Sequence, residues 1–264
     1  MDTRLSDRNA ISVLWTFRWL VYELVLRDLR LRYRGSFAGF AWTLLNPLIF
    51  MTIYALVFSV YFRIGVPNYA LYLLAGLIPW GWVSGAVLAG TTSIVDGRMY
   101  VGRTMFPTLV LPIVPVVSNA LNFIFALPVL AVFALAMHAH LGLALVALPL
   151  VMLVQLLVTT GIVLLLATAN VFFRDLQLLA NYALTILFYL TPIFYTRVQV
   201  PTAFQALVIW NPFAALISAY QDILYANRFP SPADLAYAAA FGAVILALGV
   251  AAFTRSQDAF SQYI

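Results

Sequence analysis

Residues 104–173, bounded by Arg103 and Arg174, contain no Asp, Glu, Lys or Arg. A run of 70 uncharged residues is longer than a water-soluble domain tolerates, but two helical crossings of a bilayer joined by a tight turn fill it naturally. Further uncharged stretches at 35–62, 64–95, 176–196, 198–221 and 235–254 each approach or exceed the roughly 20 residues that carry a helix across about 30 Å of hydrocarbon. Only 9% of residues are charged and 64% are hydrophobic, against roughly 25% charged in an average soluble domain. Such segments nearly consume the 264 residues, so the sequence predicts one all-α polytopic membrane domain.

What is missing narrows the chemistry. All 14 basic residues are Arg, so a Walker A lysine, and ATP hydrolysis by that route, are excluded. Cysteine is absent, which removes disulfides, thiolate nucleophiles and cysteine metal sites. His138 and His140 are the two histidines, and no carboxylate lies within 30 residues of them in sequence; they are expected to be interfacial residues and not metal ligands. The predicted spans carry no acidic or basic relay of the kind an ion-coupled transporter uses at mid-membrane depth. The energy for any transport must come from elsewhere.

Six spans are predicted, at about 37–62 (with Asn46-Pro47 inside), 70–95 (with Pro79 inside), 108–137, then after a weak break at 138–142 a fourth ending near 170, and 176–195 and 235–254. Before them, residues 1–34 lack the short apolar core and small-residue cleavage site of a removable signal peptide. Within that segment Ile11 to Tyr33 is apolar but also holds Arg18, Glu23, Arg27, Asp28, Arg30 and Arg32, too many charges for the bilayer centre. At 100° per residue Glu23, Arg27, Arg30 and Arg34 share one stripe, which predicts an amphipathic helix lying in the interface with its arginines toward headgroups and cytosol. Between spans five and six, 201–225 is apolar, but Asn211-Pro212 divides it. Each half is too short to cross, so a re-entrant outer hairpin is expected. With the N-terminus inside, eleven arginines fall on the cytoplasmic side and three, Arg63, Arg197 and Arg228, on the other, a strong positive-inside bias.

The spans are rich in aromatics. Phe37, Phe40, Trp42, Phe50, Tyr54, Phe58, Tyr61 and Phe62 lie in span one, and Tyr182, Phe188, Tyr189, Phe194 and Tyr195 in span five. Aromatic faces can stack on the apolar faces of sugars while tyrosine hydroxyls meet sugar hydroxyls, a slippery surface without charge. Gly35 to Gly39 and Gly81 to Gly85 match the small-residue spacing that lets helices approach closely.

The run Arg27-Asp28-Leu29-Arg30-Leu31-Arg32-Tyr33-Arg34-Gly35-Ser36, followed by Trp42-Thr43-Leu44-Leu45-Asn46-Pro47, resembles the entry to the membrane domain of bacterial polysaccharide exporters of the ATP-binding-cassette superfamily. Leu74-Ala75-Gly76-Leu77-Ile78-Pro79-Trp80, Asn170-Val171-Phe172-Phe173-Arg174-Asp175-Leu176 and Trp210-Asn211-Pro212-Phe213 with Tyr220-Gln221-Asp222 resemble further segments of that family, in order, over nearly the whole chain. The loop after span two departs from the family pattern in using Arg98 and Arg103 where lysines are common.

The resemblance implies one permease domain over 1–264, with an interfacial segment at 1–34, a membrane domain at 35–254 and a cytoplasmic tail at 255–264. It implies a homodimer in the bacterial inner membrane, both termini cytoplasmic, with two copies of a separate ATPase that binds the ATP and Mg; this chain is expected to hold no cofactor or metal and to bind no nucleic acid. A lipid-linked polysaccharide, O-antigen first among the branch's polymers, is expected to pass along Trp42, Tyr54, Phe58, Tyr182, Phe188 and Tyr189. The outer gate is placed at Trp210, Asn211, Pro212, Phe213 and Tyr220. Coupling to the ATPase is placed at Asp96, Arg98, Arg103, Arg27 and Arg30, and a hinge at Arg174 and Asp175. Two other readings share some features: a lipid or drug exporter of the same superfamily, which calls for a large outer domain, and a membrane-embedded glycan-lipid transferase, which calls for acidic or histidine groups at an interface. Interfacial carboxylates are few here: Asp96, Asp175 and Asp222.

Overall fold

The computed structural model describes residues 10–33, 41–57, 65–101, 106–139 and 142–264. Every regular element among them is a helix. Helices α1 (Ala10–Thr16) and α2 (Arg18–Tyr33) are nearly continuous, because the Phe17 N–H donates to the Val13 carbonyl at 3.0 Å and the Phe17 carbonyl accepts from Val21 at 3.0 Å. Trp15, Trp19 and Tyr22, one stripe at i, i+4 and i+7, are exposed along this helix. Of the charged stripe, Glu23, Arg27 and Arg30 are exposed, and Arg34 lies outside the described residues.

Four segments are long and apolar enough to cross a bilayer: Tyr69–Asp96, Val110–Ala136, Leu143–Phe172 and Pro232–Tyr263. They contain α4 (Tyr69–Asp96), α5 (Val110–Ala136), α6 (Leu148–Phe172, entered by a 3-10 turn), and α10 (Pro232–Ser256), which runs on into the short α11 (Phe260–Tyr263). Helix α3 (Trp42–Ala55) is the central part of the predicted first span, whose flanks 37–40 and 58–62 lie outside the described residues. Helix α7 (Leu176–Leu190) has 15 residues, about 22 Å at the helical rise. The predicted fifth span continues to Tyr195, but the helix stops at Leu190. Thr191 precedes Pro192, and the proline ring forces it out of the helical region to φ −90° and ψ 135°. Helix α8 (Gln205–Ile209), entered through a 3-10 turn at Thr202–Phe204, and α9 (Pro212–Leu224) meet at 89°. The result is a multi-pass helical membrane protein with four candidate crossings among the described residues, or five if the bent pair counts as one.

Helix α4 is the centre of the bundle, packed against α3, α5, α6, α7 and α9. Most of its side chains are buried, on every face, as expected of a helix ringed by others. Pro79 lies inside it, and the buried Gln155 of α6 donates to the Pro79 carbonyl at 3.1 Å. Helices α6 and α10 approach backbone to backbone. A methyl group at Gly161 would meet the Leu246 nitrogen at 2.5 Å, and one at Gly249 would meet the Gly161 carbonyl at 2.7 Å, so small residues set the helix separation.

The two ends of the bundle differ. At the Asp96 end, Phe260 of α11 is fully buried among Ile94, Leu164, Val171 and Phe253, and Tyr263 packs edge-on against Phe172 with centroids 4.9 Å apart. The expected tail at 255–264 is thus helical and docked. At the opposite end α5 stops at Ala136 with Met137 as its cap, and His138 takes a left-handed conformation, φ 54°, the helix-ending position usually held by Gly or Asn. His140 lies outside the described residues.

Candidate functional site

A cavity of about 690 Å³ opens between α3, α4, α5 and α7. Each helix contributes one face. From α4 come Leu77, Gly81, Ser84, Gly85 and Leu88, a helical stripe of small and apolar residues, with Ile78, Trp80 and Trp82 at its margins. Helix α5 adds Asn119, Asn122, Phe123 and Ala126, and α7 adds Asn181, Leu184, Thr185, Phe188 and Tyr189. Trp42, Phe50 and Tyr54 of α3 complete it. None of the described residues that line it is charged.

Two glycines shape the floor differently. At Gly81 an added methyl group would meet nothing within 4 Å, so its missing side chain leaves room in the cavity. At Gly85 it would strike Asn119 Oδ1 at 2.5 Å; the carboxamide occupies that space, held by an Asn119 Nδ2 donation to the Pro115 carbonyl at 2.7 Å. The Gly81 to Gly85 spacing therefore serves helix approach at one residue and cavity width at the other.

Toward the Tyr69 end the wall is aromatic. The Tyr54 ring lies 6.0 Å from Phe188 and 6.1 Å from Phe194, and Trp80 lies 5.8 Å from Phe188. Of the six residues expected along the path, Trp42, Tyr54, Phe188 and Tyr189 line this cavity. Tyr182 is 63% exposed and does not line it: the cavity face of α7 runs through 181, 184, 185, 188 and 189, and position 182 falls on another side. Phe58 lies outside the described residues. Sequence reasoning passed over Trp80, Trp82 and the polar set Ser84, Asn119, Asn122, Asn181 and Thr185; spaced Asn residues in otherwise apolar spans were the available signal.

The expected gate residues sit in two layers. Trp210 is 72% exposed, its ring edge-on to Tyr237, whose hydroxyl donates to the Trp210 carbonyl at 2.8 Å. Asn211, Phe213 and Tyr220 are buried, and Pro212 occupies the first turn of α9, where its missing N–H costs nothing. Asn211 caps α9 by accepting from the Phe213 N–H at 3.0 Å and donates to Thr191 Oγ1 at 3.0 Å. Phe213 packs edge-on against Trp80 at 5.8 Å, and Tyr220 against Phe123 at 5.3 Å. Both stand directly behind rings that line the cavity.

The Thr191 N–H makes the last helical bond, to Leu187 O at 2.9 Å; residues 192–195 run on without helical hydrogen bonds, and neighbours supply donors to their carbonyls. Tyr69 donates to Phe194 O at 2.6 Å, Tyr72 to Tyr195 O at 2.7 Å and Pro192 O at 3.3 Å, and Gln221 Nε2 to Pro192 O at 3.0 Å and Ile193 O at 3.4 Å. Non-helical backbone at membrane depth persists only with such partners. Tyr225 ties the end of α9 to the Pro67 carbonyl at 2.8 Å. Arg197 pairs with Asp234 at 2.6 Å and donates to the Ala214 carbonyl at 3.0 Å, joining the 196–199 turn, α9 and the start of α10.

At the Asp96 end the expected coupling residues partly converge. Arg27 Nη1 donates to the Tyr100 hydroxyl at 2.7 Å, joining α2 to the turn that follows α4. Tyr100 stacks on Phe106 at 4.8 Å. Asp96 and Arg98 are exposed on the same turn, Arg30 is exposed on α2, and Arg103 lies outside the described residues. Arg174 and Asp175 form the exposed turn from α6 to α7, where the Asp175 carbonyl accepts from Leu178 at 3.0 Å and Leu179 at 3.1 Å. Its carboxylate also suits the positive end of the α7 dipole. Among the described residues, no group of three or more His, Cys, Asp or Glu is placed to hold a metal ion.

Comparison with known proteins agrees with this architecture. The family model described as ABC-2 type transporter matches residues 20–225. The chain is 37% identical over 258 residues, 97% of its length and 99% of the relative's, to a Myxococcus xanthus protein named O-antigen export system permease protein RfbA. It is 29% identical over 246 residues to a Klebsiella pneumoniae protein of the same name, covering 93% of this chain and 95% of that one.

Proposed function

The chain belongs to the ABC-2 type transporter membrane family, and from that membership we propose that it is the channel-forming permease of an exporter that moves lipid-linked O-antigen across the bacterial inner membrane. The observation that carries this reading is the cavity whose described lining holds no charge, walled by Tyr54, Trp80, Phe188 and Tyr189 and floored by Gly81. A wall of rings without fixed charge suits a hydrophilic, hydroxyl-rich chain that must slide and not be held. The names of the relatives supply the polymer class.

In this reading the protein has six spans, α3 and α7 each being the described part of one, and both termini are cytoplasmic. Two copies enclose the path, and two ATPase subunits, which bind the ATP and Mg, dock beneath. The Asp96, Arg98 and Arg103 loop and Arg27 and Arg30 of α2 face those subunits, Arg27 and Tyr100 joining the two contact elements. Arg174 and Asp175 mark the inner turn as a hinge. The hairpin closes the outer end, with Trp210 as its exposed edge and 211–220 as its anchored base. Tyr182 extends the aromatic surface beyond the cavity, and Phe58 is assigned to the same path. The test is complementation of a strain lacking this gene: loss of surface O-antigen with intracellular accumulation of lipid-linked polymer is expected, and restored by the wild-type chain. Normal surface polymer in the deletion strain overturns the reading. Reversal of Arg98 and Arg103 to Glu should abolish export while the chain still inserts.

A further inference from the structure

Between its aromatic end and Trp42 the cavity carries a belt of polar but uncharged groups: the carboxamides of Asn119, Asn122 and Asn181 and the hydroxyls of Ser84 and Thr185. Four of them sit on helix faces that also bear the lining rings, so the belt faces the same space. The Ser84 hydroxyl donates to the Trp80 carbonyl at 2.9 Å, and Thr185 donates to the Asn181 carbonyl at 2.9 Å. With their protons committed to backbone, both hydroxyl oxygens present acceptor lone pairs, while a carboxamide carries donors and an acceptor together, Asn119 having one donor already bonded to the Pro115 carbonyl. That mixed set matches a sugar hydroxyl, which both donates and accepts.

It does not match an anion. Among the described residues no Arg or His lines the cavity, and the chain has no lysine at all. A phosphate or carboxylate in each repeating unit would have to enter a low-dielectric space with no counter-charge, and every further unit would meet the same barrier. Pores for anionic solutes meet that cost with Arg or Lys. Neutral hydroxyls lose their water at lower cost, and the carboxamides replace it.

We infer that the carboxamide belt of Asn119, Asn122 and Asn181 is a sugar-hydroxyl subsite that admits polymers of uncharged repeating units and disfavours anionic ones. This rests on the cavity being the polymer path, and it adds which glycans the path accepts and which residues choose them. Asn119 is the fixed member, its Nδ2 bonded within α5 and its Oδ1 against Gly85; Asn122 and Asn181 are the members to vary.

The experiment uses the full-length chain in lipid nanodiscs, read by the fluorescence of the cavity tryptophans Trp42, Trp80 and Trp82. It is titrated with maltohexaose and, separately, with hexagalacturonate, an anionic oligomer of equal length. The expected result is a saturable change with maltohexaose at a concentration at least about tenfold below that for hexagalacturonate, the factor that about 1.4 kcal/mol produces. Asn122→Leu with Asn181→Leu, in protein that keeps the wild-type elution volume, should raise the maltohexaose midpoint by about the same factor, as for two lost hydrogen bonds. Asn181→Arg should lower the hexagalacturonate midpoint. Equal or tighter binding of the anionic oligomer by wild type overturns the charge selectivity but leaves the path in place. An unchanged midpoint in the double variant removes the carboxamides from the subsite. No saturable response to either sugar overturns the path reading itself.

Discussion

Gln221→Met tests whether side chains from α9 hold the unwound segment after α7. Methionine keeps the length and volume of glutamine but cannot donate. Gln221 is buried, and its Nε2 serves Pro192 O at 3.0 Å and Ile193 O at 3.4 Å. A buried carbonyl left without a donor costs about 1–3 kcal/mol. The Ile193 contact is long and contributes little, and Tyr72 still reaches Pro192 O at 3.3 Å, so the net loss should be about 2 kcal/mol. For a chain of this size that corresponds to a fall of about 4–8 °C in Tm, measurable by fluorescence-detected gel filtration after heating. Hydrogen exchange gives the sharper readout: peptides covering 193–196 should lose protection while those from α6 and α10 do not. Tyr72→Phe should cost a similar amount through Tyr195 O, and the two changes together should be non-additive because both residues serve Pro192 O. A Tm within about 1 °C of wild type with unchanged exchange at 193–196 would refute the idea that these donors hold the segment.

Gly81→Phe should fill the cavity without disturbing the bundle, since nothing lies within 4 Å of the added carbon; surface polymer should fall by at least about tenfold, equivalent to about 1.4 kcal/mol in the rate-limiting barrier, with membrane levels normal on immunoblot. Gly249→Val should act in the opposite way, because its side chain would meet the Gly161 carbonyl at 2.7 Å: a loss of about 1–3 kcal/mol from overpacking should appear as reduced monodisperse protein on gel filtration. Tyr100→Phe removes the acceptor of the Arg27 bond at an exposed site, so Tm should change by less than about 2 °C, while ATP hydrolysis in the assembled transporter should no longer respond to lipid-linked polymer; a normal response would show that the bond does not position the two contact elements.

The helical class and the approximate places of four of the six predicted spans could be read from charge spacing, because placing an ion in hydrocarbon costs enough to leave a visible gap in the sequence. The end of α7 could not. Thr191 to Tyr195 is as apolar as a span, and the donors that let it leave the helix, Tyr69, Tyr72 and Gln221, lie 120 or more positions away for the tyrosines and about 30 for the glutamine. Proline at 192 announced a boundary, but its partners are a tertiary fact. Aromatic content pointed to Tyr54, Phe188 and Tyr189, yet composition does not assign faces, so Tyr182 looked equivalent to them until α7 had a defined rotation. The carboxamides were legible only as oddities. Asn119, Asn122 and Asn181 come from two helices, and their convergence depends on α5 and α7 flanking the same side of α4.

If the hairpin is the outer gate proposed above, its buried base constrains how that gate can open. Phe213 backs Trp80 and Tyr220 backs Phe123, so α9 cannot lift away without leaving voids behind the cavity wall, and voids of aromatic size cost several kcal/mol each. Arg197 ties α9 to α10 as well, through Ala214 O and Asp234. A movement that preserves packing must therefore carry α9 and the wall together, as one rigid body, or be confined to the part of the hairpin that packs least. That part is 202–210, where Phe204, Leu207, Ile209 and Trp210 are all exposed, and its junction with α9 is the 89° bend at Asn211. Asn211 is well suited to a pivot: its side chain is fixed by Phe213 N and Thr191 Oγ1, so α8 can turn about it while the first turn of α9 stays capped. The Tyr237 hydroxyl on the Trp210 carbonyl is the described bond that such a turn would break first.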